Sequence, residues 1–271
     1  MTLVPIYLTI ALYACSVCLY LFWLLRTTKN TACIARTSLT LACVVHQVAL
    51  VHRYVAFGHF HITSMHDALS ICALAIVVSY LFIEYRHRVT ALGPFVTPIV
   101  LVMLLASEIL IPDETNFIQD LRSIWLYIHT LLAIFSYGLF TISGGTSTLY
   151  LLLSHLLKSK SPNPLLNKFP SLERLDSISK RCLNAGFPLL SISLITGFLI
   201  AYRQLENIFI GEPKLISSAL LWLIYAVLLH GRLVFGWQGK RAAILSIAGI
   251  VVLMFGFFGI NLWFPGFHTF K

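Results

Sequence analysis

Ten histidines occur in a chain of 271 residues that is otherwise strongly apolar. A histidine inside hydrocarbon is costly to charge, so an intramembrane imidazole is a candidate functional group, above all as a metal ligand. The common alternative for any single histidine is a neutral ring that hydrogen-bonds to a backbone carbonyl of another helix. A metal needs at least two rings at one depth, so the elements that carry the histidines decide between these alternatives.

Motifs for other kinds of chemistry are absent from the sequence. It contains no GxSxG, HExxH, Walker A or GxGxxG motif. The six cysteines lie mostly within apolar runs, without a CxxCH or paired CxxC motif, so neither a zinc ribbon nor a disulfide framework is predicted. Glu84 and Glu108 are predicted to be interfacial carboxylates rather than members of a proton relay. We therefore do not expect a classical enzyme.

The elements that position the histidines must lie in a membrane. Hydrophobic residues make up 58% of the chain and charged residues 11%, against about 45–50% and about 25% in a globular protein. At about 20 residues per span, the chain has room for about eight transmembrane helices. We predict an all-α polytopic protein that forms one integral membrane domain over residues 1–271. The eight apolar blocks are roughly 3 to 25, 37 to 57, 66 to 85, 91 to 111, 124 to 157, 184 to 202, 215 to 236 and 242 to 264.

Charges between the blocks predict the orientation. The formal net charge is +9, and the connections after spans 1, 3, 5 and 7 are basic, whereas those after spans 2, 4 and 6 are histidine-rich, acidic or mixed. By the positive-inside rule, both termini are predicted to lie outside. The basic residues thus indicate topology, and the expected partner is the lipid bilayer rather than a nucleic acid.

Two features of spans 5 and 6 bear on packing. The segment from Ser171 to Cys182 carries an apolar stripe with charges opposite, which predicts one amphipathic helix on the inner membrane surface. Block 5, continued to Lys158, would be about 50 Å long as a helix, so one end should project from the bilayer. The glycines of these spans are predicted to allow close helix packing rather than to bind a ligand; they are Gly144, Gly145, Gly186 and Gly197.

Two histidines fall at the same outer depth. Span 5 runs inward and carries His129 in its first two turns, while span 8 runs outward and is followed by His268. Two neutral imidazoles on opposite sides of a planar cofactor describe bis-histidine ligation of haem iron, and no nearby cysteine or carboxylate suggests zinc instead. Aromatic side chains at this level form a membrane belt or pack a porphyrin; they are Trp125, Tyr127, Trp263 and Phe264.

The remaining histidines give weaker indications. His46 in span 2 and His230 in span 7 are candidates for an inner site, but helix rise places them roughly 15 Å and roughly 8 Å from the inner boundary. A shared site therefore needs tilt or a partner subunit, and His155 is a rival ligand. At the outer end of span 2 a solvated loop is favoured over a weak metal site for His52, His59, His61 and His66.

Several segments of spans 5 to 8 resemble one known family. In span 5, Ile128-His129 is followed by Phe135-Ser136-Tyr137. The other segments are SLERLD at 171–176, AGFPLL at 185–190, LITG at 194–197, LHGR at 229–232, GWQGKRAA at 236–243, and GINL at 259–262 with GFH at 266–268. Their order and spacing resemble the cytochrome c assembly family of haem-handling membrane proteins, of the CcsA/CcmC type, with a family-like core at approximately 124–268. A weaker likeness begins at Gly58-His59-Phe60.

This resemblance implies a haem b cofactor. In the family the two outer histidines ligate haem, and His129 and His268 match them by motif. His230 resembles the histidine assigned to a second, membrane-embedded haem position, for which His46 is one candidate partner and another subunit a second. The resemblance also implies other cytochrome c maturation or haem-transport subunits as partners.

One stretch departs from the family. The tryptophan-rich WWD segment should precede span 7, but residues 202–214 contain no tryptophan, and only Glu212-Pro213-Lys214 is similar to the usual Asp-Pro-Lys. The chain thus resembles short relatives that lack this segment. Haem ligation is implied by the resemblance, whereas haem transfer to apocytochrome c is not.

We therefore expect a haem chaperone or conduit of the bacterial inner membrane, with both termini periplasmic, that takes part in haem handling or cytochrome c assembly. One alternative is a haem-free regulatory or scaffolding protein of a tetrapyrrole-synthesis or transport complex. A second alternative is a small-molecule transporter, although the sequence has no evident inverted repeat.

The predicted orientation leads to a first test. Reporter fusions at Pro164, in the basic connection after span 5, and at Lys271 should report opposite compartments, because three spans separate them. A fusion at Glu212 should agree with the one at Lys271. Agreement between the Pro164 and Lys271 fusions would mean that the span count is wrong by an odd number.

Overall fold

The structure, a computed structural model, describes residues 3–26, 28–57, 65–110, 124–158, 169–204 and 213–256. These residues form eight α-helices and no strand, and a single 3₁₀ turn, Thr90–Leu92, precedes the fourth helix. The helices are Leu3–Leu25 (α1), Lys29–Phe57 (α2), Met65–His87 (α3), Gly93–Ile109 (α4), Ile124–Lys158 (α5), Leu172–Gln204 (α6), Pro213–Val234 (α7) and Lys240–Met254 (α8).

Seven of these helices are long and apolar enough to cross a membrane. The eighth, α8, lies at the predicted eighth block and has 15 residues. The chain is thus a multi-pass, all-α membrane protein, as its hydropathy predicts. With 35 residues, α5 is about 52 Å long, so it exceeds a hydrocarbon core of about 30 Å, as expected.

The amphipathic segment differs from the prediction in one respect. It is not a separate surface helix, because α6 runs without a break from Leu172 to Gln204, a length of about 50 Å. The apolar stripe continues into the span, where Leu175, Ile178 and Leu183 are all buried. Because the apolar stripe continues from the amphipathic part into the spanning part, the helix needs no turn between them.

Contacts divide the chain into two compact units, one containing α1–α4 and the other α5–α8. In the first unit α1 packs against α2 and α4, and α3 packs against α4. Its α4 begins at Gly93, beside the ring of Tyr20, followed by Pro94 at the start of the helix, where proline is favoured. A single membrane domain over residues 1–271 would require the two units to associate, so that part of the sequence analysis stays a prediction.

In the second unit the main pairing is between α5 and α6, with α8 against α5 and α7 against α8. Rings of Phe140 and Tyr225 stack with centroids 3.8 Å apart. A Cβ at Gly186 would lie 2.8 Å from the Phe140 ring, and one at Gly144 would collide with Ile250. These two glycines allow close packing, as predicted, whereas a Cβ at Gly145 would meet nothing within 4 Å.

A buried ion pair links α6 and α7 at one end of the second unit. The Arg232 side chain is 1% exposed, and its Nη1 donates to Asp176 Oδ2 over 3.2 Å. The other Asp176 oxygen accepts from the backbone N–H of Gly239, and Arg232 Nη2 donates to Ser179 Oγ. Gly239 has φ +65°, a conformation that favours glycine. Asp176 thereby joins α6, α7 and the start of α8.

Removing this carboxylate should destabilise the protein. Asp176→Ala leaves a buried guanidinium without its counter-ion, which costs about 3–5 kcal/mol of unfolding free energy. Denaturant titration of the detergent-solubilised protein measures the effect. Glu173→Ala, at an exposed site on the same helix, is the matched control and should change little. If the apolar double variant Asp176→Leu/Arg232→Met were as unstable as Asp176→Ala, an uncompensated charge would not be the cause.

Candidate functional site

His129 lies in the second turn of α5 and faces α6. Its Nδ1 is 2.7 Å from the backbone carbonyl oxygen of Ser193. A carbonyl oxygen only accepts, so Nδ1 carries the hydrogen and the lone pair of the neutral ring is on Nε2. Ser193 Oγ also donates to the His129 carbonyl oxygen over 3.0 Å, which joins the two helices a second time.

Gly197 lies one turn beyond Ser193 on the same face of α6. A Cβ at this position would lie 2.5 Å from His129 Cε1 and 2.8 Å from Nδ1. The glycine therefore makes room for the imidazole, while the Ser193 carbonyl orients it. Histidines that ligate metals usually donate their other ring N–H to such a partner, which fixes both the tautomer and the ring plane.

The sequence predicts a packing role for Gly197 and gives no indication of Ser193. The packing role is confirmed, and the partner of Gly197 is the candidate ligand His129 itself. Every residue has a backbone carbonyl, so residue type does not identify Ser193 as the acceptor. The only signal in the sequence is the four-residue spacing that puts Ser193 and Gly197 on one helix face.

The expected second ligand, His268, lies outside the described residues, as do Trp263 and Phe264. The pairing of His129 with His268 therefore stays a prediction. Trp125 and Tyr127 are described at the start of α5, where Trp125 is 54% exposed, as in an aromatic belt.

The candidates for the inner site have contrasting surroundings. His46 is fully buried in the first unit, with Nδ1 3.1 Å from Tyr13 Oη and Nε2 3.0 Å from Ser70 Oγ. His230 belongs to the second unit, where it is exposed on α7 with its ring 5.6 Å from that of Phe235. The rival His155 is exposed near the end of α5. Whether His46 and His230 share a site stays a prediction.

His66 is not in a solvated loop, contrary to expectation. It is 4% exposed, its Nδ1 donates to the Ser107 carbonyl oxygen over 2.7 Å, and its Nε2 accepts from Arg53. This bridge between α2, α3 and α4 removes the ring from water. His52 is exposed, and His59 and His61 lie outside the described residues.

Glu84 lies close to the end of α3, and its predicted interfacial position stays a prediction. It is fully buried in the first unit, where Tyr20 Oη donates to Glu84 Oε2 over 2.5 Å. Arg36 Nε lies 3.4 Å from the other oxygen, Oε1.

Over the part of the chain that the structure describes, no group of three or more histidine, cysteine or acidic side chains is placed to hold a metal ion.

The fold and the oriented histidine define a multi-pass helical membrane protein with a candidate ligand on one of its spans. The family described as "Cytochrome C assembly protein" matches residues 3–268, and the chain belongs to that family. This match confirms the resemblance noted in the sequence.

Individual relatives share one name. The chain is 28% identical over 271 residues to the "Cytochrome c biogenesis protein CcsA" of Guillardia theta, covering 92% of this chain and 90% of the relative. It is 29% identical over 276 residues to the protein of that name from one strain of Prochlorococcus marinus, covering 92% and 87%. To that of Chlamydomonas reinhardtii it is 30% identical over 231 residues, covering 82% and 64%.

The contact between Gly197 and His129 provides a test. Gly197→Ala should displace the imidazole because the new methyl overlaps the ring. Disturbing the groups that orient a ligand typically costs about 10–100-fold in metal affinity, so a haem ligated by His129 should bind more weakly by about that factor. Absorption titration of the detergent-purified protein with haem measures it. Gly145→Ala, a glycine on α5 with open space around it, should bind as the unaltered protein does, and equal affinities in both variants would contradict the role of Gly197.

Proposed function

We propose that this protein binds haem b through His129 and His268 and takes part in haem handling during cytochrome c assembly. The observation that carries the proposal is the His129 ring, which is held by the Ser193 carbonyl so that Nε2 keeps its lone pair. Both histidines fall within residues 3–268, the segment matched by the cytochrome c assembly family.

The donor set fits a haem iron with two axial nitrogens. Such an iron takes neutral imidazoles, and His129 is held in a tautomer that suits one axial position. The sequence has no CxxCH motif, which argues against covalent attachment, and haem b is the cofactor that the family resemblance implies. When bound, the haem supplies a redox-active iron, while His129 and His268 hold it in place and the Ser193 carbonyl keeps the His129 plane fixed.

The proposed role is that of a chaperone or conduit rather than a catalyst. Forming thioether bonds needs the thiols of an apocytochrome substrate, and the region before α7 lacks the tryptophan-rich platform. We therefore propose that other cytochrome c maturation or haem-transport subunits supply the steps that this chain does not perform.

For an inner haem position, His230 is better suited than His46. His230 is exposed on α7, where its ring lies edge-on to that of Phe235. Ligation by His46 through Nδ1 or Nε2 would break its hydrogen bond to Tyr13 or to Ser70, respectively, at a cost of about 1 kcal/mol, and would bring the iron to a fully buried ring. We propose His230 as the inner ligand, with its partner supplied by another subunit.

The proposed location is a bacterial inner membrane, with both termini on the periplasmic side. The basic connections after spans 1, 3, 5 and 7 support this orientation. It puts the first turns of α5, and hence His129, at the outer face, where a periplasmic cytochrome would receive haem.

Absorption spectroscopy of the detergent-purified, haem-loaded protein tests the ligands. The unaltered protein should give a low-spin bis-imidazole spectrum, and His129→Ala or His268→Ala should convert or abolish it because one axial nitrogen is lost. Added imidazole should restore the spectrum in either single variant. His230→Ala should lower haem occupancy at most, without changing the ligation of haem at the outer site.

His59→Ala is the control histidine variant and should keep the low-spin spectrum. An unchanged spectrum in the His129→Ala/His268→Ala double variant would overturn the outer site. Absence of any Soret band after haem loading of the unaltered protein would instead favour the haem-free scaffold, and substrate flux into vesicles would favour a transporter.

A further inference from the structure

One face of α2 in the first unit is exposed along its length. Its large apolar side chains are between 52% and 73% exposed; they are Ile34, Leu41, Val44, Val48, Val51 and Val55. The opposite face is buried, with Ala35, Leu39 and Ala42 fully so. We call the six exposed side chains, together with the exposed Thr37, the α2 stripe.

The spacing along the α2 stripe is that of a coiled-coil contact. Its seven positions follow one another in alternating steps of three and four residues, from Ile34 to Val55. Such a repeat averages 3.5 residues per turn, which keeps two helices in contact along their length. Helix bundles in membranes mostly pack with this left-handed geometry. The α2 stripe is therefore shaped to accept a second helix.

A glutamine lies beside the α2 stripe, within an uncharged stretch. Residues 37–52 contain no charged side chain, and helix rise places Gln47 about 9 Å from Arg53 and about 16 Å from Arg36. Gln47 is exposed, and its only hydrogen bond among the described residues runs from Nε2 to Cys43 Sγ over 3.5 Å. An amide has two donors and an oxygen acceptor, so Gln47 retains bonding capacity that hydrocarbon cannot satisfy.

The exposed face of α4 in the same unit has the composition expected for contact with lipid. Its exposed residues are all apolar; they are Ile99, Val102, Leu105 and Ile109. The α2 face differs by its amide, and glutamine side chains in membranes typically hydrogen-bond across helix contacts. This difference indicates that a helix of a protein, rather than lipid, covers the α2 stripe.

The polar residues of α2 complement each other when two copies of the helix lie side by side. In a parallel left-handed pair, a residue that flanks the contact on one helix meets the residue five positions later on the other. Gln47 flanks the α2 stripe on one side, and the exposed His52 flanks it on the other side, five positions later. A neutral imidazole has one donor and one acceptor, and an amide has both, so the two side chains can bond in either tautomer.

We propose that the α2 stripe is the contact surface of a homodimer, in which Gln47 of each copy hydrogen-bonds to His52 of the other. The occupant is a second copy of this chain, because α2 itself carries both members of the polar contact. Two copies in one membrane have the same orientation, so a two-fold axis along the membrane normal makes their α2 helices parallel and forms the contact twice. The proposal concerns the first unit and does not depend on haem binding in the second.

Cysteine crosslinking in the membranes of expressing cells tests which face is covered. The background is the full-length protein with its exposed cysteines replaced by alanine; they are Cys15, Cys18 and Cys33. Val48→Cys adds one thiol to the α2 stripe, where the two copies face each other, so oxidation should give a product of twice the chain mass. Val102→Cys, on the exposed apolar face of α4, is the matched control and should remain a monomer.

Three crosslinking outcomes would overturn the proposal. If Val48→Cys remains a monomer under oxidation, lipid covers the α2 stripe. A crosslinked product of any other mass would mean that a different membrane protein covers it. Equal dimer formation by Val48→Cys and Val102→Cys would mean that the copies meet by random collision.

Dimer affinity in liposomes tests the polar contact. The full-length protein is labelled at its C-terminus with donor or acceptor fluorophores, and energy transfer during dilution with lipid gives the dissociation constant. Gln47→Leu should weaken the dimer at least about threefold, which corresponds to the average hydrogen bond between helices in a membrane. His52→Leu should do the same, and the double variant should dimerise no more weakly than either single variant, because each change removes the same contact.

Thr37→Val is the control within the α2 stripe. The Thr37 hydroxyl donates to the Cys33 carbonyl oxygen of its own helix over 2.9 Å, so a methyl group in its place removes no bond between the copies. This variant should dimerise as the unaltered protein does. The proposal is overturned if the unaltered protein shows no energy transfer, if Gln47→Leu dimerises as tightly as Thr37→Val, or if the effects of Gln47→Leu and His52→Leu are additive.

Discussion

A buried polar group in a membrane protein must find its hydrogen-bond partner within the protein, since hydrocarbon provides none. Much of the described structure follows from this constraint. The helices satisfy their own backbones, and the polar side chains that remain are paired across helices. Ser193 meets His129 between α6 and α5, Asp176 meets Arg232 between α6 and α7, and Ser70 meets His46 between α3 and α2.

The same constraint separates the histidines by what they can do. A ring with one nitrogen held by a carbonyl, as in His129, keeps the other nitrogen basic and so suits a metal. A ring between two hydroxyls, as in His46, keeps both hydrogen bonds in either neutral tautomer. A ring between a carbonyl and a guanidinium, as in His66, has one fixed tautomer and links α3 to α2 and α4.

Close approach of helices makes these pairings possible. Polar side chains such as serine are short, so the backbones that carry them must come near each other. In the second unit glycines allow this approach: Gly186 lies against Phe140, Gly144 against Ile250 and Gly197 against His129. At Gly197 the space that a side chain would fill is occupied by the candidate ligand, so packing and ligand placement depend on the same residue.

The sequence by itself determined the membrane class, the positions of seven spans, three of the four glycines predicted at helix contacts and His129 as a candidate ligand, because hydropathy and residue type are local properties. Only the tertiary structure decided which nitrogen of His129 is held, that α6 is continuous, and that His66 and Glu84 are buried. The partners that decide these points are far apart in the chain: His129 and Ser193 are 64 positions apart, as are Tyr20 and Glu84. Which helix faces meet over such separations depends on the packing of all the helices in a unit, and no local pattern contains that information.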